Sequence, residues 1–479
     1  MSPSVEPFDE VKYNALMDGL ECSEVSKSKL ERTLRIDSEY FSKKAIDMES
    51  LLGTLPHVPL TSLVDVSDGN HSGISEKFAD TGIPYYRGQD AGTFFIESTT
   101  PICIDEETYN TPIMRRSHLK KNDVLLSIVG TIGSLSLVYS DRQATCSCKL
   151  AILRPKDYDD AEFLAVFLNS KYGQMQIARF TRGAVQKGLI LEDMDQLVVP
   201  SFGVDFKKEI KQCIMGSYEL NNSAQSLLDQ SQNILLSFLD INTTYENGTT
   251  IAIKKFSDSF GVTHRLDAEY YQPKYDKFFE AIDSCKNGYS TIKKEFDHIT
   301  KKCDRTKQEY LYVEIGDINV GSGEASFNCI STDLLPANAK IMTRKGDVIV
   351  STVRPNRGAV AILDSDNLLV SGAFTVLREK GTYKKEVLQS LLRTKLYRDW
   401  LMRYNVGTSY PVIKCDDILS MPIPLFDDST QSSIVDSVRN AFALRRKSKE
   451  LLENAKKSVE MAIEQGEEVA LSWLKNQVN

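Results

Sequence analysis

Along this chain, apolar positions first alternate with polar ones in short runs, then recur at three and four, then settle into a long seven-residue rhythm, and the cycle occurs twice. In the first cycle the alternation predicts strands at Pro84–Arg87, Val124–Val129, Leu135–Tyr139 and Leu150–Leu153. A helix follows at Ala161–Phe180, then a proline-bounded strand near 197–202. In the second cycle the strands fall at Tyr310–Glu314, Val348–Val353, Ala359–Leu363 and Ala373–Leu377, the helix at Lys385–Tyr404, and the proline-bounded strand near 421–426. Gly, Pro, Asn and Asp between these runs supply the turns. Each cycle opens on a short charged, aromatic-bearing segment (31–52 and 263–282) expected to be a helix or helical turn, and closes on a long helix without internal proline, roughly 206–240 and 430–465.

The two cycles are copies. R-I-D-S-E-Y-F-S-K-K at 35–44 matches R-L-D-A-E-Y-Y-Q-P-K at 265–274 at an offset of 230, and D-V-L-L-S-I-V at 123–129 matches D-V-I-V-S-T-V at 347–353 at an offset of 224. L-V-V-P at 197–200 and M-P-I-P at 421–424, Gly183 and Gly407, and Ile210 and Ile434 keep the second offset. About thirty residues before the first copy have no evident counterpart. The closing helices carry coiled-coil spacing. One stripe runs Ile210, Cys213, Leu220, Ala224, Leu227, Ile234 and Phe238, interrupted by Ser217 and Ser231. The other runs Ile434, Val438, Ala441, Leu452, Ala455, Val459 and Ala462, interrupted by Arg445 and Ser448. Small residues on both stripes allow close approach, so the economical arrangement packs the helices together, antiparallel if the halves are related by a pseudo-two-fold axis.

Composition narrows the class. A chain of 479 residues with 41% hydrophobic and 26% charged residues is long enough for two or three globular domains, and no apolar run is long enough to span a bilayer. The N-terminus MSPSVEPFDE has no export signature, which places the protein in the cytoplasm as an expectation. Nine cysteines without a C-x-x-C pair read as reduced thiols, and five scattered histidines offer no metal site. The net charge of −8 is unlike the basic footprint of most nucleic-acid binders, but the halves differ. Residues 53–200 hold 14 Lys and Arg against 18 Asp and Glu, whereas residues 300–426 hold 18 against 14.

Catalytic motifs are missing from the sequence. It has neither N-P-P-[YF] nor D-P-P-Y, no glycine-rich methyl-donor loop after a strand and no Walker sequence. Gly321-Ser322-Gly323 reads as a hairpin turn, and Asp205, Glu209 and Lys211 resemble a nuclease motif only in composition, on the expected coiled-coil helix. What remains is polar, glycine-containing loops in matching places. The first pair is 68–73, with Asn70 and His71, against 301–305, with Lys302 and Arg305. The second is 130–133, with Thr131, against 354–358, with Arg354, Asn356 and Arg357. The third is 181–188, with Arg182, Gln186 and Lys187, against 405–411, with Ser409 and Tyr410. Arg87, closing the first-half strand, joins them. Arg, Lys, Asn and Gln match base edges in the major groove, while Ser, Thr and backbone N–H groups serve phosphates, so these residues are the candidate DNA contacts.

The repeated segments, with G-I-P-Y-Y-R-G-Q-D at 82–90, K-N-D-V-L-L-S-I-V-G-T-I-G at 121–133, K-G-D-V-I-V-S-T-V-R-P at 345–355 and G-T-S-Y-P-V-I at 407–413, resemble the specificity subunits of type I restriction–modification systems. The resemblance implies an α+β chain of two tandem mixed α/β target-recognition domains, each followed by a long helix, the helices forming an antiparallel coiled coil. The segments are then an N-terminal part at 1–52, recognition domains at 53–202 and 298–427, spacer helices at 203–245 and 428–479, and a connector at 246–297. It also implies a non-catalytic subunit that reads a bipartite target in double-stranded DNA and docks two DNA adenine methyltransferase subunits, with restriction and translocase subunits joining them. S-adenosylmethionine is held by the methyltransferase and no cofactor by this chain, and flipped bases enter the partner's pocket. Two other readings stand beside it: a specificity subunit of a fused methyltransferase–nuclease, and a coiled-coil scaffold that binds no DNA.

Overall fold

A computed structural model describes residues 8–99, 101–183, 187–239, 251–407 and 409–478. The chain divides into two compact units, Met1–Glu219 with Lys447–Asn479, and Leu220–Arg446. The division falls inside the long helices Val204–Phe238 and Asp428–Gln465, each of which gives one part to each unit.

In the first unit a four-stranded antiparallel sheet has the spatial order Val64–Asp68, Leu150–Pro155, Val124–Ser127, Leu135–Leu137. Alternation sorts its residues onto two faces. Val124, Leu126, Ala151 and Leu153 pack with Phe163, Phe167, Phe206 and Ile210, while Leu125, Leu150 and Ile152 pack with Tyr86, Val138 and Cys146. Burial on both faces is why D-V-L-L-S-I-V is nearly continuous in apolar residues. A three-stranded sheet orders Ile102–Ile104, Ile83–Tyr86 and Thr145–Cys146, and His57–Pro59 pairs antiparallel with Val198–Pro200. The parts of the two long helices in this unit run antiparallel: Gly203, just before the first, donates its N–H to Glu467, just after the second, a Cβ on Gly216 would touch Leu451, and Ser217 Oγ lies 2.8 Å from Ser448 Oγ.

The second unit repeats the plan. Phe296–His298, Phe374–Glu379, Val348–Ser351 and Val360–Ile362 form the four-stranded antiparallel sheet. Val348, Val350, Val360 and Leu377 face Val387, Leu388 and Trp400, while Ile349, Ala361 and Val376 face Val313 and Val370. Its own helix parts are antiparallel too, with Phe238 near Phe426, just before the second helix begins, at 4.7 Å and Arg445 donating to Asn221 and Gln225 at 3.0 and 2.9 Å. Gly321–Gly323 turns a hairpin between Ile318–Asn319 and Glu324–Ala325, as the sequence suggested.

The duplication reaches single bonds. Buried Asp123 accepts from Arg154 at 2.7 Å, and buried Asp347 accepts from Arg378 at 2.7 and 2.8 Å, both pairs at the 224 offset.

Three expectations need correction. The helices expected at Ala161–Phe180 and Lys385–Tyr404 are each two helices, Ala161–Asn169 with Lys171–Phe180 and Lys385–Arg393 with Lys395–Met402. The breaks are at Ser170 and Thr394, whose backbones are extended and whose hydroxyls accept from Gly173 and Tyr397 N–H, so each is the N-cap of a new helix. The deep stripe of the first long helix runs through Leu228 and Leu235, with Leu227 and Ile234 only partly buried, because a strict four-three spacing from Ile210 through Ile214 and Ser217 lands there. The leading residues also have a structural counterpart. Lys27–Thr33 ends on Leu34 at φ 52°, and Phe260–Thr263 ends on His264 at φ 55°, again 230 positions apart.

One asymmetry gives a stability test. Buried Glu386 pairs with Arg439 at 2.8 Å, but the position matching Arg439 in the first unit is Met215, and among the described residues Glu162 receives a side-chain hydrogen bond only from Tyr139 Oη, at 3.2 Å. Burial raises the Glu162 carboxyl above the usual glutamate range. The folded state therefore binds that proton more tightly, and ionising Glu162 costs stability as pH rises through the raised value. Glu162→Gln is expected to stabilise by about 1 kcal/mol at neutral pH, the scale of a poorly satisfied buried polar atom, and by nothing below the unfolded glutamate value. Chemical denaturation of both proteins across this range checks it; a pH-independent difference sinks the explanation.

Candidate nucleic-acid interface

In the first unit the candidate loops gather at one end of the sheets. Val129 bridges to Gly188, Leu189 N–H donates to Ile128, and Arg182 and Gly188 exchange backbone bonds at 2.8 and 2.7 Å, so the loops at 130–133 and 181–188 are joined. Thr131 Oγ1 donates to Gly88 O at 2.7 Å, which brings in the turn after Arg87. Arg87 donates to Asp90 through both its backbone N–H, at 2.8 Å, and Nε, at 3.4 Å. Asn70 bridges to Ser147, whose N–H donates to Tyr86 O, so the loop at 68–73 reaches the same end.

Side chains differ in what they leave free. Asn70 is buried and closes a local turn through Ser72, in both directions at 3.0 Å, and the Thr131 hydroxyl is spent on Gly88. Arg182 and Lys187 are exposed cations fixed from behind, Arg182 by buried Asp193 and Lys187 by Glu39 at 3.1 Å. Exposed His71 sits 2.5 Å from the buried carboxylate of Asp68, which also accepts from Arg116. Sequence reading did not select Arg116: it lies 48 residues from Asp68, and no local pattern connects them. Gln186 lies outside the described residues.

In the second unit, Val353 bridges to Val412 and Arg354 N–H donates to Pro411 O at 2.7 Å, so the loops at 354–358 and 405–411 are joined as their counterparts are. Arg354 adopts φ 51°, and its guanidinium lies 5.6 Å from the centre of the Tyr410 ring. Asn356, Arg357 and Ser409 are exposed beside them. The 301–305 loop is held separately. Exposed Lys302 bridges to Ile341, and the Arg305 guanidinium turns back onto Pro336 O at 2.9 Å and Ala339 O at 3.1 Å. Arg305 is thus a staple for its own loop.

Chemically, this is a surface of exposed donors on short anchored loops. Among the described residues no group of three or more His, Cys, Asp or Glu is placed to hold a metal ion, and no helix is long and apolar enough to cross a membrane. The nuclease-like Lys211 donates to Asp159 of the Tyr158–Asp160 turn at 2.7 Å, which accounts for its place there.

No family model matches the chain. It is 24% identical over 195 residues to the type I restriction enzyme MjaVIII specificity subunit of Methanocaldococcus jannaschii, covering 38% of this chain and 40% of that protein. It is 32% identical over 110 residues to the HindI specificity subunit of Haemophilus influenzae, covering 22% of this chain and 24% of that one. The chain thus spans less than half the length of these curated relatives. The crystal structure of a type I restriction–modification S subunit from M. genitalium aligns at 16% identity over 87% of this chain and 95% of that one, with a TM-score of 0.35. The likeness rests on the sequence relatives: over its matched segments the chain is similar to the specificity subunits of type I restriction enzymes.

Proposed function

We propose that this chain is the DNA-specificity subunit of a type I restriction–modification complex, without catalytic activity of its own. The observation that carries the reading is the double occurrence of one unit plan, each copy ending in joined polar loops, in a chain similar to such subunits. Each unit reads one half of a split target in double-stranded DNA, and the antiparallel helix pairs form a coiled-coil spacer related by a pseudo-two-fold axis. In the first unit Arg182, Lys187, His71 and Arg87 supply the donors; in the second Arg354, Asn356, Arg357, Lys302, Ser409 and Tyr410 do. The acidic balance of the first unit suits readout by few phosphate contacts. Two adenine methyltransferase subunits dock on the chain and hold S-adenosylmethionine, with restriction and translocase subunits completing a cytoplasmic complex.

The test is to capture the full chain with the products of neighbouring genes and sequence the methylome of cells carrying them. A bipartite adenine-methylated motif that disappears when this gene is deleted is the expected result, while the purified chain with labelled S-adenosylmethionine and DNA transfers no methyl group. Co-purification with unrelated proteins and an unchanged methylome would replace this reading with that of a scaffold.

A further inference from the structure

The R-[IL]-D-x-E-Y motif is the most similar pair of segments in the two halves, yet it supplies none of the candidate DNA contacts. Its side chains make the same construction twice. Arg35 grips Asp37 through Nε and a terminal nitrogen at 2.8 and 2.9 Å, and Arg265 grips Asp267 at 2.8 and 2.6 Å. These are bidentate pairs, whose planar geometry fixes the guanidinium as well as attracting it. Each arginine then lies over the tyrosine of its own motif, Arg35 at 4.3 Å from the centre of the Tyr40 ring and Arg265 at 4.7 Å from that of Tyr270.

A second arginine closes each stack from the other side of the sequence. Arg179 lies 4.3 Å from the Tyr40 ring and donates from Nε to Tyr40 O at 3.0 Å; Arg403 lies 4.5 Å from the Tyr270 ring and donates from Nε to Tyr270 O at 3.1 Å. The motifs are 230 positions apart and the second arginines 224, so six residues have been gained or lost between the partners without disturbing the contact. A contact kept through a change in intervening length is one the architecture needs.

What it holds is the third candidate loop of each unit. Arg179 is in the last turn of Lys171–Phe180, immediately before the 181–188 loop, and Glu39 of the motif reaches Lys187 at the far side of that loop at 3.1 Å. Arg403 caps Lys395–Met402, and Arg265 also donates to Asn405 O at 2.9 Å. Asn405 Oδ1 in turn accepts from Gly407 N–H at 2.8 Å and Val412 N–H at 3.0 Å, closing the 405–412 loop on itself. Gly407 itself lies so close to Tyr410 O that a Cβ there would collide with it.

We propose that each motif is a positioning clamp for the reading loop of its own unit, so that Tyr40 and Asp37 govern recognition of one half-site and Tyr270 and Asp267 the other. This rests on the DNA-reading function proposed above, and two readouts separate the failure of one from the failure of the other. The first needs no DNA. In the full chain, Tyr40→Leu and the milder Asp37→Asn, which alters a half-exposed carboxylate, are expected to speed amide hydrogen exchange at the bonded Arg182 and Gly188 at least tenfold while leaving that at Gly407 and Val412 unchanged. Tyr270→Leu and Asp267→Asn do the reverse, and Tyr40→Phe, which keeps the ring, behaves as wild type. The second readout is the methylome of cells carrying each variant: Tyr40→Leu relaxes the bases of one half-site and Tyr270→Leu those of the other. Unchanged exchange in both loops, or equal acceleration in both, overturns the clamp whatever the chain binds. Loop-specific exchange together with equal loss at both half-sites overturns the assignment of half-site specificity to the motif. If wild type yields no bipartite motif, the functional reading fails and the exchange experiment still decides the clamp.

Discussion

Replacing Arg354 and Arg357 together with alanine is expected to strip recognition from one half-site and leave the other intact. The loop that carries them is built for presentation. Arg354 sits at φ 51° and Gly358 at φ 76°, so the backbone reverses on either side of the turn Pro355–Arg357. Pro355 fixes one end of the turn, and a Cβ on Gly358 would crowd the Arg398 side chain at 2.8 Å. The Arg354 N–H is tied to Pro411, its guanidinium faces Tyr410, and Arg357 extends into solvent. Two bidentate arginine contacts to guanine would be worth roughly 2–6 kcal/mol of base discrimination together, at about 1–3 kcal/mol each. That is about thirty-fold or more, enough to turn a defined half-site into a degenerate one. Methylome sequencing reads this base by base. Arg182→Ala with Lys187→Ala should affect only the other half-site, whereas Arg305→Ala, whose guanidinium is spent on two carbonyls, should lower stability without changing base preference. Equal loss at both half-sites, or no change, would sink the loop assignment.

These loops show where sequence reading runs out. The repeat, the strands and the long helices were legible because burial on both faces of a sheet and a seven-residue stripe leave periodic traces. Asp123 and Asp347 stand at matching places in the repeated segments, but their bonds to Arg154 and Arg378 were not legible, since partners 31 positions apart carry no joint pattern. The helix breaks at Ser170 and Thr394 were hidden because the apolar spacing continues through them, and only a hydroxyl at each place signals a new N-cap. Among the candidate contacts, residue type marked loops that the fold joins in pairs, but not which side chains stay free. Asn70, Thr131 and Arg305 have the chemistry of DNA contacts but spend it on backbone carbonyls, Asn70 within its own turn and the other two on segments distant in sequence. That depends on which carbonyl lies within 3 Å, a tertiary fact. The Arg–Tyr–Arg stacks were half visible: the motif occurs twice in the sequence, but no local pattern connects it with Arg179 or Arg403, more than 130 positions on.

Lengthening both long helices by four residues is expected to widen the gap in the DNA target while keeping both half-sites. The helices cover 35 and 38 residues, and at about 1.5 Å per residue each spans more than 50 Å, longer than one turn of B-DNA at about 34–36 Å. Under the proposed function their length sets the spacing of the half-sites. The insertion belongs at the division between the units, after Glu219 in one helix and after Arg446 in the other, so that the antiparallel partners within each unit keep their register. There Ser217 stays opposite Ser448, and Arg445 keeps Asn221 and Gln225. An insertion in one helix alone would slide those buried polar pairs apart and destabilise the chain, because burying an unsatisfied polar atom costs about 1–3 kcal/mol. Four residues advance a helix by about 6 Å and rotate it by about 40° beyond a full turn. One or two added base pairs advance DNA by about 3.4–7 Å and rotate it by about 34–70° at 10.5 pairs per turn. The two changes nearly match, so the complex can follow the groove onto a target with one or two more unspecified pairs. Two residues in each helix advance about 3 Å but rotate about 160° the wrong way, turning the apolar stripe toward water, and methylation should be lost. A four-residue variant that methylates the original spacing would show that the helices do not set the gap, and the distance between half-sites would then have to come from the docked subunits.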